Sequence, residues 1–269
     1  MQCDSPDLCR FRENRLAMPT HSVILVQYDH ERLDELDDDD CIGRFGQCRL
    51  IGGLLSGKKG NEAAADRAKE ARQRALPLLE PCLQDIGARE GDEVYLRIIK
   101  EERQLELWMR PEGHSRFSLL KTYPVVAMSG ELGPKTAEGD MQAPEGFYAV
   151  EKYALNPRSS FHLSFNIGYP NAHDLSLGRT GSFIMVHGGD CSIGCFAMTN
   201  AGIEEIYTLV AAALGAGQDR VPVEIYPFRM TEDNMRRHAA SPHMPFWEKL
   251  KRSWHYSEEQ ELPALHMER

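Results

Sequence analysis

The 269 residues carry 31 Lys and Arg against 41 Asp and Glu, a formal charge of -10, and 42% of them are hydrophobic. That length and composition suffice for a buried core, while the negative balance argues against nucleic acid, whose affinity comes from Lys and Arg neutralising phosphates. No apolar run reaches the roughly 18 residues of a membrane-spanning helix, so a span is excluded on length.

The start, MQCDSPDLCRFRENR, has acidic and polar residues where a signal peptide needs a basic start and an apolar stretch. An export signal missing from this reading frame, a different secretion route, and a cytoplasmic or delivered role all stay open. HSVILVQY, from His21, reads as a strand, and Asp37 to Asp40 as a solvated loop. Cys3, Cys9, Cys41 and Cys48 match no metal-binding spacing, and a total of seven cysteines leaves at least one thiol free even under oxidising conditions. RLIGGLLSGKKG is glycine-rich but lacks the order of a phosphate loop. From Asn61 to Gly87 the abundance of Ala, Glu, Lys and Arg favours a helix that Pro77 and Pro81 are expected to kink or break. Residues 1–90 therefore read as a partly helical N-terminal segment of unknown function.

From about Asp92 the rhythm changes to VYLRII, QLELWM, RFSLLK, YPVVAMS, FYAVEK, FHLSFNI, SFIMVH and VPVEIY, short strand-like runs separated by polar turns. The fold class expected is mainly β with helical additions, a sandwich or barrel over residues 91–230. LGPKTAEGD is turn-rich and presents Lys135 and Asp140 to solvent or to a cleft, a plain surface loop being the ordinary reading. In FHLSFNI, alternation sets Phe161, Leu163 and Phe165 on one face and His162, Ser164 and Asn166 on the other. His162 then either lines a cleft as a polarising group or is a satisfied structural histidine. Tyr169, Asn171 and Arg179 precede the next strand and could hold substrate carboxylates. Arg229 in YPFRMT could reach the same place or form a structural salt bridge. Residues 231–269 read as a helical extension that packs Phe246, Trp247 and Leu250 on the β domain; Trp108, Trp247 and Trp254 are read as packing residues.

Chemistry concentrates in HGGDCSIGCFAMTN, His187 to Asn200. SFIMVH would end a strand at His187, Gly188, Gly189 and Gly194 would permit sharp turns, and Thr199 or Asn200 would cap a helix with Ile203, Ile206, Tyr207, Val210 and Leu214 on its apolar face and Glu204 and Glu205 in its first turn. A cysteine attacks carbonyls as its thiolate, so a nearby base is required, and His187 can serve. Cys195, after Ser192, Ile193 and Gly194, is the preferred nucleophile because its own N–H and its neighbour's could converge as an oxyanion hole. Zinc held by His187, Cys191 and Cys195 would lack a fourth ligand and the CxxC pairing. From the residues alone, a Cys191–Cys195 disulfide or a pair of inert buried thiols stays open.

SIGC with HGG upstream resembles the L,D-transpeptidase catalytic domain (YkuD type), in which a histidine followed by glycine precedes a Ser/Thr-x-Gly-Cys nucleophile. Elements similar to LGPKTAEGDMQAPEGFYAV, FHLSFNIGYPNAHD and YPFRMT extend the resemblance over about residues 92–269. The short spacer from His187 to Ser192, and Ile193 in place of a second histidine, fit the divergent murein branch that includes the enzyme releasing Braun's lipoprotein from peptidoglycan. The resemblance implies a β-sandwich with a helix after the nucleophile, Cys195 as nucleophile, His187 as base, and Gly188 where that base is oriented. It implies Gly194 and Cys195 N–H groups on the oxyanion, and Ser192, His162, Tyr169, Asn171, Arg179, Lys135 and Arg229 toward substrate. It implies peptidoglycan stem peptides as partners, no metal or organic cofactor, acylation of the same sulfur by carbapenems, and a periplasmic or secreted place. Transfer against hydrolysis, the acceptor, the third member of the site and the oligomeric state stay open. A delivered effector acting on a non-murein protein and a non-catalytic wall-binding module are the alternatives.

Overall fold

A computed structural model describes residues 59–264. The strand from His21, the loop at Asp37 to Asp40, the glycine-rich stretch up to Lys58 and the four cysteines before residue 50 lie outside the described residues.

Helix α1 spans Lys59–Ile86 without interruption, although Pro77 and Pro81 lie inside it. The expected break does not occur. Ala71, Ala75, Leu79 and Leu83, spaced four apart, are buried and drive the helix onto the body, whereas Gln73, Pro77 and Pro81 are all exposed. The two carbonyls that lose their donors therefore face water, which can satisfy them. Gly87, at φ +70°, ends the helix in the left-handed conformation.

Strand β1 (Glu93–Ile99) forms an antiparallel hairpin with β2 (Gln104–Arg110), which pairs with β3 (Ser118–Pro124) across a bulge at Leu107 and Trp108. β4 (Gly146–Glu151) leads to β5 (Leu155–Asn156) and β6 (Ser164–Asn166), then to a short helix α2 (Ala172–Ser176), β7 (Met185–Gly188) and β8 (Phe196–Met198). Helix α3 (Asn200–Ala216) follows, then β9 (Arg220–Tyr226), α4 (Glu232–Arg237) and α5 (Met244–Gln260). Two sheets result, one of five strands in the order β3-β2-β1-β9-β4 and one of four in the order β5-β6-β7-β8. β9 runs parallel to β1 and antiparallel to β4. The expected mainly β class with a helix behind the cysteine is what is found.

Three strand expectations shrink. FHLSFNI begins pairing only at Ser164 because His162 sits at φ +67°, a conformation that breaks alternation. SFIMVH begins only at Met185, for Phe183 is at φ +55°. YPVVAMS leaves β3 at Pro124, and Ala127 keeps a single bridge to Ala197.

α3 buries Ile203, Ile206, Leu209 and Val210 completely and lies against α1. Thr199 caps it, its hydroxyl accepting from Gly202 N–H. Glu204 and Glu205 sit past its first turn and are buried, so they act as ion-pair anchors and not as charges on the helix dipole. A second core joins Ile99, Tyr226, Phe228 and Met230 to Met235, Trp247, Leu250 and Trp254 of the C-terminal helices. The Arg97 guanidinium lies between the Trp108 and Trp254 rings, 4.8 Å and 4.4 Å from their centroids, which gives those indoles a packing role.

Candidate active site

Parallel pairing of β7 with β8 sets His187 opposite Ala197. Cys195 lies two residues before Ala197, so strand spacing puts its α-carbon roughly 8 Å from that of His187. The thiol is held at the strand mouth: Sγ accepts from Met185 N–H at 3.4 Å and donates to the Phe183 carbonyl at 3.7 Å. Cys195 is a free thiol, whereas Cys191 is engaged in a disulfide. A Cys191–Cys195 bridge is thereby ruled out.

His187 is fully buried. Its Nδ1 lies 2.8 Å from the Gly188 carbonyl. A carbonyl can only accept, so Nδ1 carries the proton and Nε2 keeps its lone pair. Nε2 is buried and has no hydrogen-bond partner among the described residues. Burial pushes the imidazole below its ordinary pKa, with the Gly188 carbonyl opposing in part, so the ring rests neutral. The Phe161 ring covers it, 4.8 Å between centroids.

The glycines of the motif serve two purposes. Gly189 and Gly194 adopt φ of +96° and +99°, which any side chain resists. Gly188 does not take a left-handed turn as expected; a Cβ there would lie 2.8 Å from Asn200 Oδ1 and 2.9 Å from Ile203 Cγ2. Close packing against α3 requires that glycine. Within the turn, Ser192 Oγ donates to the Cys195 carbonyl at 2.7 Å, holding the Cys195 backbone.

The Lys135 surface-loop reading is corrected, for Lys135 is only 4% exposed. Its ammonium pairs with Asp140, donates to the Ala137 carbonyl at 2.8 Å and lies 5.9 Å from the Tyr169 ring centroid. Burial works against the Asp140 carboxylate, but Lys135 and the N–H groups of Thr136, Ala137 and Gln142 hold it at about 2. This ion pair satisfies the cost of sequestering both charges. Burial likewise pushes the Cys195 thiol up, opposed by Met185 N–H and by the Lys135 charge. At rest Cys195 is a thiol and His187 a neutral imidazole, and Sγ is not a hydrogen-bond partner of Nε2.

A groove of about 910 Å³ is lined by Phe183, Met185, Tyr169, Asn171, Asn166 and Arg220; Cys195 and His187 are not among its lining residues, and Cys195 is linked to it only through the Sγ contacts with Met185 N–H and the Phe183 carbonyl. The other residues singled out from sequence sit elsewhere in the bonding. Asn171 caps α2 and its amide donates to the Phe147 carbonyl at 2.9 Å. Arg179 is paired with Asp174 at 2.7 Å, and His162 with Glu204 at 2.7 Å. Arg229 is bound to Glu106 at 2.6 Å and Gln104 at 3.0 Å, the structural salt bridge weighed against a cleft role.

Residues that sequence reasoning missed include Gln142, whose carbonyl would meet a Cβ on Gly194 at 3.3 Å, and Phe161, which covers the His187 ring. The signal for Phe161 was its place next to His162 in an apolar run; for Gln142 there was none beyond the neighbouring Asp140.

Three comparisons bear on this arrangement. The family described as the L,D-transpeptidase catalytic domain (YkuD) matches residues 93–225. The protein named "Putative L,D-transpeptidase YafK" from Escherichia coli (strain K12) is 47% identical over 173 residues, 64% of this chain and 70% of its own. Among solved structures, the helical cell shape determining protein Pgp2 from Campylobacter jejuni is 22% identical with a TM-score of 0.40, over 56% of this chain and 55% of that one. Its K307A mutant is 19% identical with a TM-score of 0.41, over 67% and 64%. Overlaps this loose carry nothing about the site.

Proposed function

This chain belongs to the L,D-transpeptidase catalytic domain family, and on that premise we propose that it carries out cysteine acyl chemistry on peptidoglycan stem peptides. The observation that carries the reading is the His187 imidazole, with its proton committed to the Gly188 carbonyl through Nδ1 and its buried Nε2 unpartnered, on a strand paired with the one that the free Cys195 leads into. A buried polar atom is ordinarily satisfied, so one left open on a neutral ring is a base in waiting.

In this reading Nε2 takes the Cys195 proton as sulfur attacks the amide carbonyl of a diaminopimelate residue. The tetrahedral oxygen is held by the Gly194 and Cys195 N–H groups. As the C–N bond breaks, His187 gives its proton to the departing amine and a thioester remains on Cys195. A second amine or water then attacks that thioester, losing its proton to Nε2, and the thiol is restored. The groove beside Met185 takes the peptide, with Tyr169 and Asn166 offering polar contacts along it. Lys135 favours the thiolate as it forms. Such a substrate places the working protein at the cell wall. Among the described residues no helix is long and apolar enough to cross a membrane.

Incubation with purified muropeptides and with lipoprotein-linked murein, read by mass spectrometry, tests this. Cleaved or exchanged products are expected from the wild type and none from Cys195→Ala. Unchanged substrate from the wild type, or retained turnover in Cys195→Ala with loss in Cys191→Ala, would overturn it.

A further inference from the structure

We propose that helix α1, ahead of the segment matched by the family, positions the base of the active site through a four-residue clamp of Arg67, Arg74, Glu204 and His162. The proposal rests on His187 being that base. The family match begins at residue 93, so this contribution comes from outside it.

The path can be followed atom by atom. Arg67 Nη1 donates to the carbonyl of Ser159 at 2.9 Å and to that of His162 at 2.8 Å. Arg74 makes a forked contact with Glu204, Nε to one oxygen at 2.9 Å and Nη2 to the other at 2.7 Å, a geometry only Arg offers. The Glu204 oxygen reached by Nη2 also meets His162 Nε2 at 2.7 Å. His162 is thus gripped at its carbonyl by one arginine and at its ring by a carboxylate that the other arginine fixes. The grip also fixes its backbone, which holds φ at +67°, a conformation uncommon outside glycine though more accessible to histidine than to most side chains.

The residue before it makes the connection to the base. The Phe161 carbonyl accepts from Gly188 N–H at 3.1 Å, and the Phe161 ring covers the His187 ring. Gly188 in turn accepts the Nδ1 proton of His187. A change of backbone at His162 would therefore shift both the ring above the imidazole and the peptide that fixes its tautomer. The clamp acts through these neighbours and not by contact with substrate.

The test uses the full chain with Arg67→Met, Arg74→Met and Glu204→Gln, their lysine counterparts Arg67→Lys and Arg74→Lys, and His187→Ala as reference. Two readouts are taken: kcat and KM on muropeptides, and the pH profile of Cys195 alkylation by iodoacetamide, followed on its tryptic peptide and independent of any murein. Displacing a base by up to about 1 Å costs up to about a hundredfold. The clamp variants are expected to lose between about tenfold and a hundredfold in kcat with KM within about twofold, and to shift the alkylation profile toward that of His187→Ala; Arg67→Lys should recover part of the loss, and Arg74→Lys less because it cannot fork. Thermal melting identifies any variant that merely unfolds, and Glu204→Gln, which keeps shape and polarity, then decides the matter. Wild-type kcat and wild-type alkylation in a folded Glu204→Gln and Arg67→Met would overturn the clamp alone. A His187→Ala protein that alkylates and turns over like the wild type would overturn the reading of the base and the clamp with it.

Discussion

The two buried polar regions of this molecule are built on opposite rules. Beneath the C-terminal helices, Arg97 is paired with Glu106 and Glu258 and held between two indoles, and buried Glu224 accepts from Tyr95, Tyr226, Ser257 and the Ala264 N–H. At the β7 to β8 mouth, His187 is just as buried, yet one of its two ring nitrogens has no partner among the described residues. Satisfaction of every group stabilises a fold; an open lone pair does not, and the proposed chemistry would use it. The first region holds the C-terminal helices on the sheet; the second is the one proposed to react.

Mutations should separate these rules cleanly, the largest effect coming from the reactive side. His187→Gln, chosen because truncation to Ala would empty a fully buried site, is expected to lower kcat by about 10²- to 10⁴-fold, the worth of a general base, with a much smaller change in melting temperature; steady-state kinetics beside a melting curve checks both halves. Arg97→Ala should do the reverse, costing about 3–5 kcal/mol because Glu106 would be left buried with one fewer cation, with kcat/KM of the surviving folded fraction unaltered, as read by urea unfolding and titrated activity. Gly188→Ala joins the two effects: the new Cβ forces Asn200 and Ile203 aside, an overpacking of about 1–3 kcal/mol, and the shifted carbonyl releases the base, so activity should fall together with stability.

Acid gives a finer separation. The His187 pKa is depressed in the folded chain, so the unfolded chain binds its proton first as pH falls. The stability owed to the neutral ring is thus present above the ordinary histidine value near 6.5 and is lost as pH drops through the lower folded one. Wild type should lose stability more steeply than His187→Gln below about pH 6.5, and urea midpoints across that range measure it. The smallest effect expected is that of Thr199→Ala, about 1 kcal/mol from the lost cap of α3, visible in unfolding and absent from the kinetics.

Much of the fold was legible because it rests on local patterns. VYLRII, QLELWM and VPVEIY became β1, β2 and β9, and the capped apolar repeat after Thr199 became α3. The parallel pairing of β1 with β9 was not legible, since Leu96 and Val223 meet across the whole intervening domain. Nor were β5 and β8, of two and three residues, long enough to show a period. At the site, Cys195, His187 and the glycines stood out by residue type alone. Lys135 did not, because a turn-rich LGPKTAEGD looks solvated until Asp140 and Tyr169 are seen to enclose its ammonium. Residue type suits Arg229 and Arg179 to carboxylates, and the carboxylates they hold are Glu106 and Asp174 of this chain, for Arg229 the structural salt bridge that the sequence had left open.

The central claim is that the Cys195 sulfur takes an acyl group. Intact-mass and peptide mass spectrometry after exposure to a carbapenem, or to a muropeptide quenched in acid, tests it most directly. One acyl adduct on the Cys195 peptide, absent from Cys195→Ala and slowed in His187→Ala, is the expected result; no adduct, or one carried by Cys82 instead, would contradict it.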